Sequence, residues 1–128
     1  MRKNTRREER FSEIGRFESG DLCALPGVLE DVSEGGCKVH FPVKIEPDME
    51  KDYHALLHLP ENKEKASLKL LCHPRWITSD KNKAVVGFSF LSSTDTPALV
   101  NHIAFLRKQR ESVSEIESLI FNSTASFV

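Results

Sequence analysis

The stretch Asp31-Val32-Ser33-Glu34-Gly35-Gly36 decides how this chain is interpreted. A short strand is predicted from Val28, and it ends here because polar residues and paired glycines, which permit a positive φ, favour a sharp reversal. Residues 37–41 (Cys-Lys-Val-His-Phe) then alternate apolar and polar side chains, as a half-buried strand does. The sequence therefore predicts a β-hairpin connected by Ser33-Glu34-Gly35-Gly36.

The rest of the chain repeats this pattern of short strands and turns. Residues 14–25 indicate one or two strand pieces around a turn at 19–21, and Pro26-Gly27 is a second turn signal. Further strands are predicted at 53–59, 67–77 and 84–91, separated by a loop at 42–52, a connection at 60–65 and a turn at 79–82. After Ser92 the apolar residues recur at helical spacing. Five to seven short strands before one helix predict a mainly β fold, a small antiparallel barrel or sandwich.

Composition restricts the class of protein. A chain of 128 residues with a formal net charge of -1 is one domain without the bulk charge that binds a nucleic acid polymer. It has no apolar run long enough for membrane insertion. Three widely spaced cysteines, an odd number, favour reduced thiols and a cytoplasmic location. Positive charge is concentrated at the start, where residues 1–10 predict a flexible basic arm.

Two groups of side chains have the chemistry of a nucleotide site. Asp31 and Ser33 lie two apart on a strand, so they share a face, which is also the face expected for Leu29. A carboxylate beside a hydroxyl can read the donor edge of guanine. Arg6 and Arg10 are four apart, and guanidinium groups fork onto phosphates, pair with guanine or stack on bases. Each group alone is explained by turn chemistry or by a basic tail, but together they predict a pocket for a guanine nucleotide with phosphodiester charge.

The two groups in this order resemble the PilZ domain family. Its members carry Arg-x-x-x-Arg at the start of the domain, as Arg6 to Arg10 do here, and Asp/Asn-x-Ser-x-x-Gly later, as Asp31 to Gly36 do. Residues 86–91 (Val-Gly-Phe-Ser-Phe-Leu) are similar to the family's Gly-x-x-Phe strand, and a helix follows. The resemblance covers roughly residues 6–108 and rests on the paired motif.

The resemblance implies a six-stranded antiparallel β-barrel with a C-terminal α-helix that binds cyclic di-GMP, with no other cofactor and no metal. Arg6 and Arg10 would clamp phosphates and guanine faces, Asp31 and Ser33 would read a guanine edge, and Gly36 would shape the turn. Thr5 stands where many members have another arginine, which leaves open one bound nucleotide or a stacked pair. The predicted divisions are the arm at 1–10, the barrel with its closing helix at 11–110, and a helical extension or frayed tail at 111–128.

The leading hypothesis is a bacterial cyclic di-GMP receptor, not an enzyme, whose arm orders on binding and signals to an unidentified protein partner in motility, polysaccharide or virulence control. The alternative is a PilZ-like protein–protein adaptor that binds no nucleotide. A small barrel that binds nucleic acid through its arm is disfavoured by the net charge. A metal site at His54, His58 and Cys72-His73 is disfavoured because the ligands are too few. Trp76 is either a core or barrel-rim aromatic or a stacking platform that lines the ligand face. An apolar stripe through Ile116 and Ile120 is either a face docked on the barrel or a surface for a partner or for self-association.

Overall fold

The computed structural model describes residues 9–62 and 65–125, and these form one closed β-barrel followed by a helix. Neighbouring strands are antiparallel and follow the order β1-β2-β3-β6-β5-β4, with β4 returning to pair with β1. The six-stranded antiparallel barrel with a C-terminal helix is therefore confirmed. The elements are β1 (Phe11–Ser19), β2 (Cys23–Val32), β3 (Gly36–Phe41), β4 (Tyr53–His58), β5 (Ser67–Asp80), β6 (Lys83–Leu91) and α1 (Thr96–Ala125).

The core fills the barrel with the inward side chains of alternating strands. Cys37, Val39 and Phe41 of β3 are buried, while Lys38 and His40 between them face outward. Phe17 stacks on Phe88 across the interior, with ring centroids 4.7 Å apart. Removal of this apolar surface from water is the main force that closes the sheet.

The expected turn at Pro26-Gly27 is wrong, because β2 runs straight through both residues. Pairing between β2 and β3 begins only at Val28, opposite His40, so no strand on that side needs the N–H that proline lacks. Gly27 provides close packing instead of a reversal. A Cβ at this position would lie 2.5 Å from Val39 Cγ1.

A β-bulge changes the faces of β2. Leu29 pairs with Val39 and Asp31 with Lys38, which leaves Glu30 as an extra residue between them. Leu29 is buried in the core, whereas Asp31 lies on the outer surface. The expectation that Asp31 shares the face of Leu29 is therefore wrong, since one inserted residue reverses the alternation.

Gly36 is needed for close approach of two strands. No glycine in the described parts of the chain has a positive φ, so the expected role of the paired glycines in a left-handed turn is wrong. Gly36 pairs with Ser89 of β6, and a Cβ on Gly36 would lie 2.2 Å from the carbonyl oxygen of Phe88. Strand β3 can therefore begin here only without a side chain.

Helix α1 is fastened to the barrel at its start. The carboxylate of Asp95 accepts hydrogen bonds from the backbone N–H of Lys69 (2.7 Å) and from Lys65 Nζ (3.3 Å). The bond from the Lys69 N–H is the main reason that the pKa of Asp95 is lowered. Leu99 and Ile103 then pack into the end of the barrel. None of the described residues forms a helix long and apolar enough to cross a bilayer.

The second half of α1 extends past the barrel. Residues 111–125 continue the same helix, and residues 126–128 lie outside the described chain. Its large apolar side chains are exposed: Val113, Ile116, Leu119 and Ile120.

Substitution of Gly36 by alanine tests the close approach of β3 to β6. We expect Gly36→Ala to lower the free energy of unfolding by about 1–3 kcal/mol, because the new methyl group must displace backbone. Gly20→Ala is the control, since a Cβ there meets nothing within 4 Å. Both are measured by urea unfolding, and equal midpoints for the two variants would contradict the role of Gly36.

Candidate ligand-binding site

The two sequence motifs meet at one rim of the barrel. Antiparallel pairing of Phe11 with Val32 places the residue before β1 beside the end of β2. Arg10 Nε donates to Asp31 Oδ1 (3.0 Å), and Arg10 Nη1 donates to Ser33 Oγ (3.3 Å). Of the predicted site residues, Arg10, Asp31, Ser33 and Gly36 thus come together, while Arg6 lies outside the described residues.

Ser33 is the internal support of this site. Its side chain is buried, and its hydroxyl accepts hydrogen bonds from the N–H groups of Gly35 (3.2 Å) and Gly36 (3.1 Å). The Ser33 N–H donates to the carbonyl of Gly36 (2.8 Å), which closes the turn. Asp31 and Arg10 are more accessible, with side chains 19% and 45% exposed. They are the parts of the motifs that a ligand reaches first.

Sequence reasoning missed two arginines that α1 contributes beside the motifs. Arg107 Nε and Arg110 Nη1 donate to the two carboxylate oxygens of Glu9, at 2.9 and 2.7 Å. The hydrogen bond from Arg107 is the main reason that the pKa of Glu9 is lowered, and the charge of Arg110 acts in the same direction. The arm and α1 are therefore joined by a charge-assisted pair of contacts.

These arginines also contact both motifs directly. Arg110 Nη2 donates to the backbone carbonyl of Arg10 (3.2 Å), and its guanidinium lies 4.2 Å from the ring centroid of Phe11. Arg107 Nη2 is 4.0 Å from Glu34 in the β2–β3 turn. A sequence signal existed, since positions 107 and 110 continue the face that Ile103 docks on the barrel.

Trp76 lies on the same outer surface as Asp31. Cross-strand pairing runs from Asp31 to Lys38, from Lys38 to Gly87, and from Gly87 to Trp76. Three strand spacings of about 4.8 Å put the two ends of this row roughly 14 Å apart. The indole of Trp76 covers Gly87, where a Cβ would be 2.2 Å from its Nε1, and the residue is 44% exposed. The row therefore ends in an accessible aromatic side chain.

Two of the three histidines considered for a metal site have other side-chain partners. His58 Nδ1 is 2.8 Å from Ser67 Oγ, and His73 Nδ1 is 2.9 Å from Asp52 Oδ1. Cys72 is buried, and burial raises its pKa to about 12. Among the residues that the structure describes, no three His, Cys, Asp or Glu side chains are grouped as a metal site would require.

A family model for the PilZ domain matches residues 4–106, and the chain belongs to this family. No curated protein matches the chain significantly in sequence. Several solved structures share its fold, and the chain spans about half the length of the three that are described next.

The inhibitor of motility MotI/DgrA from Bacillus subtilis superposes with a TM-score of 0.66 at 16% identity, over 87% of this chain and 54% of that one. MrkH from K. pneumonia, in complex with c-di-GMP, superposes with a TM-score of 0.63 at 12% identity, over 88% of this chain and 55% of that one. YcgR from Escherichia coli, also in complex with c-di-GMP, superposes with a TM-score of 0.61 at 15% identity, over 88% of this chain and 50% of that one.

Stability measurements distinguish the internal part of the site from its accessible part. Ser33→Ala is expected to lower the free energy of unfolding by about 1–3 kcal/mol, because it leaves buried N–H groups without their acceptor. Asp31→Asn is expected to cost less than about 1 kcal/mol, since it weakens only a surface ion pair. Urea unfolding measures both. An equal loss in the two variants would show that Ser33 is not the support of the turn.

Proposed function

We propose that this chain is a bacterial receptor for cyclic di-GMP and that Arg6, Arg10, Asp31, Ser33 and Gly36 form its ligand site. The observation that carries the proposal is the contact of Arg10 with Asp31 and Ser33, which joins the two motifs of the family at one rim. The c-di-GMP complexes of MrkH and YcgR, which share the barrel, support the choice of ligand.

The chemistry of these side chains suits the two parts of the nucleotide. The guanidinium of Arg10 can fork onto a phosphate, pair with guanine O6 and N7, or stack on the base. The Asp31 carboxylate can accept from the N1–H and amino group of guanine. In the free protein these two side chains neutralise one another in an exposed ion pair. Such pairs contribute less than about 1 kcal/mol, so a ligand can separate them at little cost.

Signalling follows in this proposal from the position of the arm. The ligand binds more tightly to the arm closed over the barrel than to the arm in other positions, and this difference in affinity provides the free energy for closure. Closure presents a new surface to an unidentified protein partner. The proposed role is binding without chemistry on the ligand. Free cysteines, of which Cys37 and Cys72 are buried, support a cytoplasmic location.

Loss of the Arg10 guanidinium tests the ligand site. Arg10→Ala is expected to weaken cyclic di-GMP binding by about 1–3 kcal/mol, or roughly 5- to 150-fold, as for a lost bidentate contact to a base. Isothermal titration calorimetry measures the affinity. Arg16→Ala is the matched control, because Arg16 is also exposed and paired with a carboxylate, that of Glu18, further along β1.

The wild-type titration decides between receptor and adaptor. Absence of heat at tens of micromolar ligand would favour the adaptor without nucleotide. Equal affinity of Arg10→Ala and Arg16→Ala would remove Arg10 from the site.

Trp76 gives a second, spectroscopic test, because it is the single tryptophan of the chain. If a guanine stacks at the end of the row that begins at Asp31, saturating cyclic di-GMP changes the intrinsic fluorescence. Trp76→Ala is expected to weaken binding by about 1–3 kcal/mol, as for a lost stacking platform, and Trp76→Phe to weaken it less. Unchanged fluorescence at a ligand concentration that calorimetry shows to be saturating would place the ligand away from Trp76.

A further inference from the structure

The contact of Glu9 with α1 has the geometry of a bound anion. Each carboxylate oxygen accepts one hydrogen bond, from Arg107 Nε at 2.9 Å and from Arg110 Nη1 at 2.7 Å. Two guanidinium groups that converge on two oxygens are also the usual protein partners of a phosphate group. The geometry is therefore suited to a phosphodiester as well as to a carboxylate.

The position of this arginine pair connects it to the proposed ligand site. Arg110 holds the backbone carbonyl of Arg10, and Arg107 approaches Glu34 of the turn. The pair therefore lies between the arm and the Asp31–Gly36 motif. Both side chains remain accessible, at 39% and 51% exposure, so an anion from solvent can reach them.

The charges at this rim leave Glu9 as the group that a ligand would displace. Among the described residues, the guanidinium groups of Arg10, Arg107 and Arg110 are paired with the carboxylates of Glu9, Asp31 and Glu34, and the charge of Glu111 also acts on Arg107. A phosphate that takes the place of one of these carboxylates gains its arginine contacts without adding negative charge to the rim. Asp31 and Glu34 belong to the β2–β3 hairpin, whereas Glu9 precedes the first strand and moves without breaking strand pairing.

We propose that Arg107 and Arg110 form a phosphate-binding subsite for cyclic di-GMP, which Glu9 occupies while the ligand is absent. This inference rests on the proposed function and adds α1 to the arm and the turn as a third wall of the site. Displacement of Glu9 moves the backbone next to Arg10. Binding at the subsite is thus an exchange of anions, in which a phosphate takes the place of the Glu9 carboxylate.

The competing explanation is a structural latch, in which Glu9 simply fastens the arm to α1. The two explanations differ in the sign of the change in ligand affinity that they predict for the two kinds of variant. In a latch, removal of either partner breaks the same ion pairs and shifts affinity in the same direction. In the proposed subsite, loss of the arginines removes ligand contacts, while loss of the Glu9 charge removes a competitor.

The experiment compares cyclic di-GMP affinities by calorimetry for Glu9→Gln and for the double variant Arg107→Gln/Arg110→Gln. We expect the double variant to bind at least about 10-fold more weakly, and Glu9→Gln to bind about 2- to 5-fold more tightly. Lys108→Gln is the matched control, because it removes one exposed positive charge from the same turn of α1. Thermal unfolding of each variant establishes that α1 remains docked.

The outcomes separate the subsite from the proposed function. Shifts of the same sign in both variants, or a double variant no weaker than Lys108→Gln, would overturn the subsite while wild-type binding upholds the receptor. A wild-type chain that does not bind cyclic di-GMP overturns both proposals. Shifts of opposite sign, with Lys108→Gln close to wild type, support the subsite.

Discussion

The absence of a side chain at Gly36 is the constraint on which the site depends. Because Gly36 lies against the Phe88 carbonyl, β3 starts in contact with β6, and the N–H of Phe90 donates to the carbonyl of Gly35 at 2.8 Å. The buried hydroxyl of Ser33 holds the other side of this turn. The turn that closes the β2–β3 hairpin is thereby fixed to a third strand. Asp31 lies just before this turn, where it meets Arg10, the residue that precedes β1.

The second motif therefore combines two physical roles that its sequence does not separate. Ser33 and Gly36 are inside the structure and determine the shape of the rim, whereas Asp31 is on the surface and paired with Arg10. In the proposed site, a change at Ser33 or Gly36 would act on ligand binding through the fold. In the same proposal, a change at Asp31 or Arg10 would act on ligand binding with little effect on stability, because a surface ion pair contributes little to the free energy of unfolding. For a variant of this motif, the change in ligand affinity therefore has to be compared with the change in the free energy of unfolding.

Local pattern was sufficient for most of the strands and left a barrel or a sandwich open, and it failed where tertiary contacts decide. Alternation and strand-ending turns predicted most of the strands, while their number came from the family resemblance. Pro26 looked like a turn because the sequence does not show that β3 stops short of it. The bulge at Glu30 was missed because one inserted residue leaves no compositional trace. Arg107 and Arg110 were missed because docking of α1, which brings them to the arm, is a long-range contact.

The proposed anion exchange would link the ligand to a large part of the molecule. Arg107 and Arg110 lie in the middle of α1, which continues without interruption to Ala125. A helix transmits a small rotation at one turn to its exposed end, where Val113 and Ile116 present apolar surface. The ligand can bias this end only by the difference in its affinity for the two positions of the arm. In this proposal the Glu9 carboxylate competes for the same arginines, so it would weaken ligand binding and would determine how far the free protein favours the unliganded arrangement.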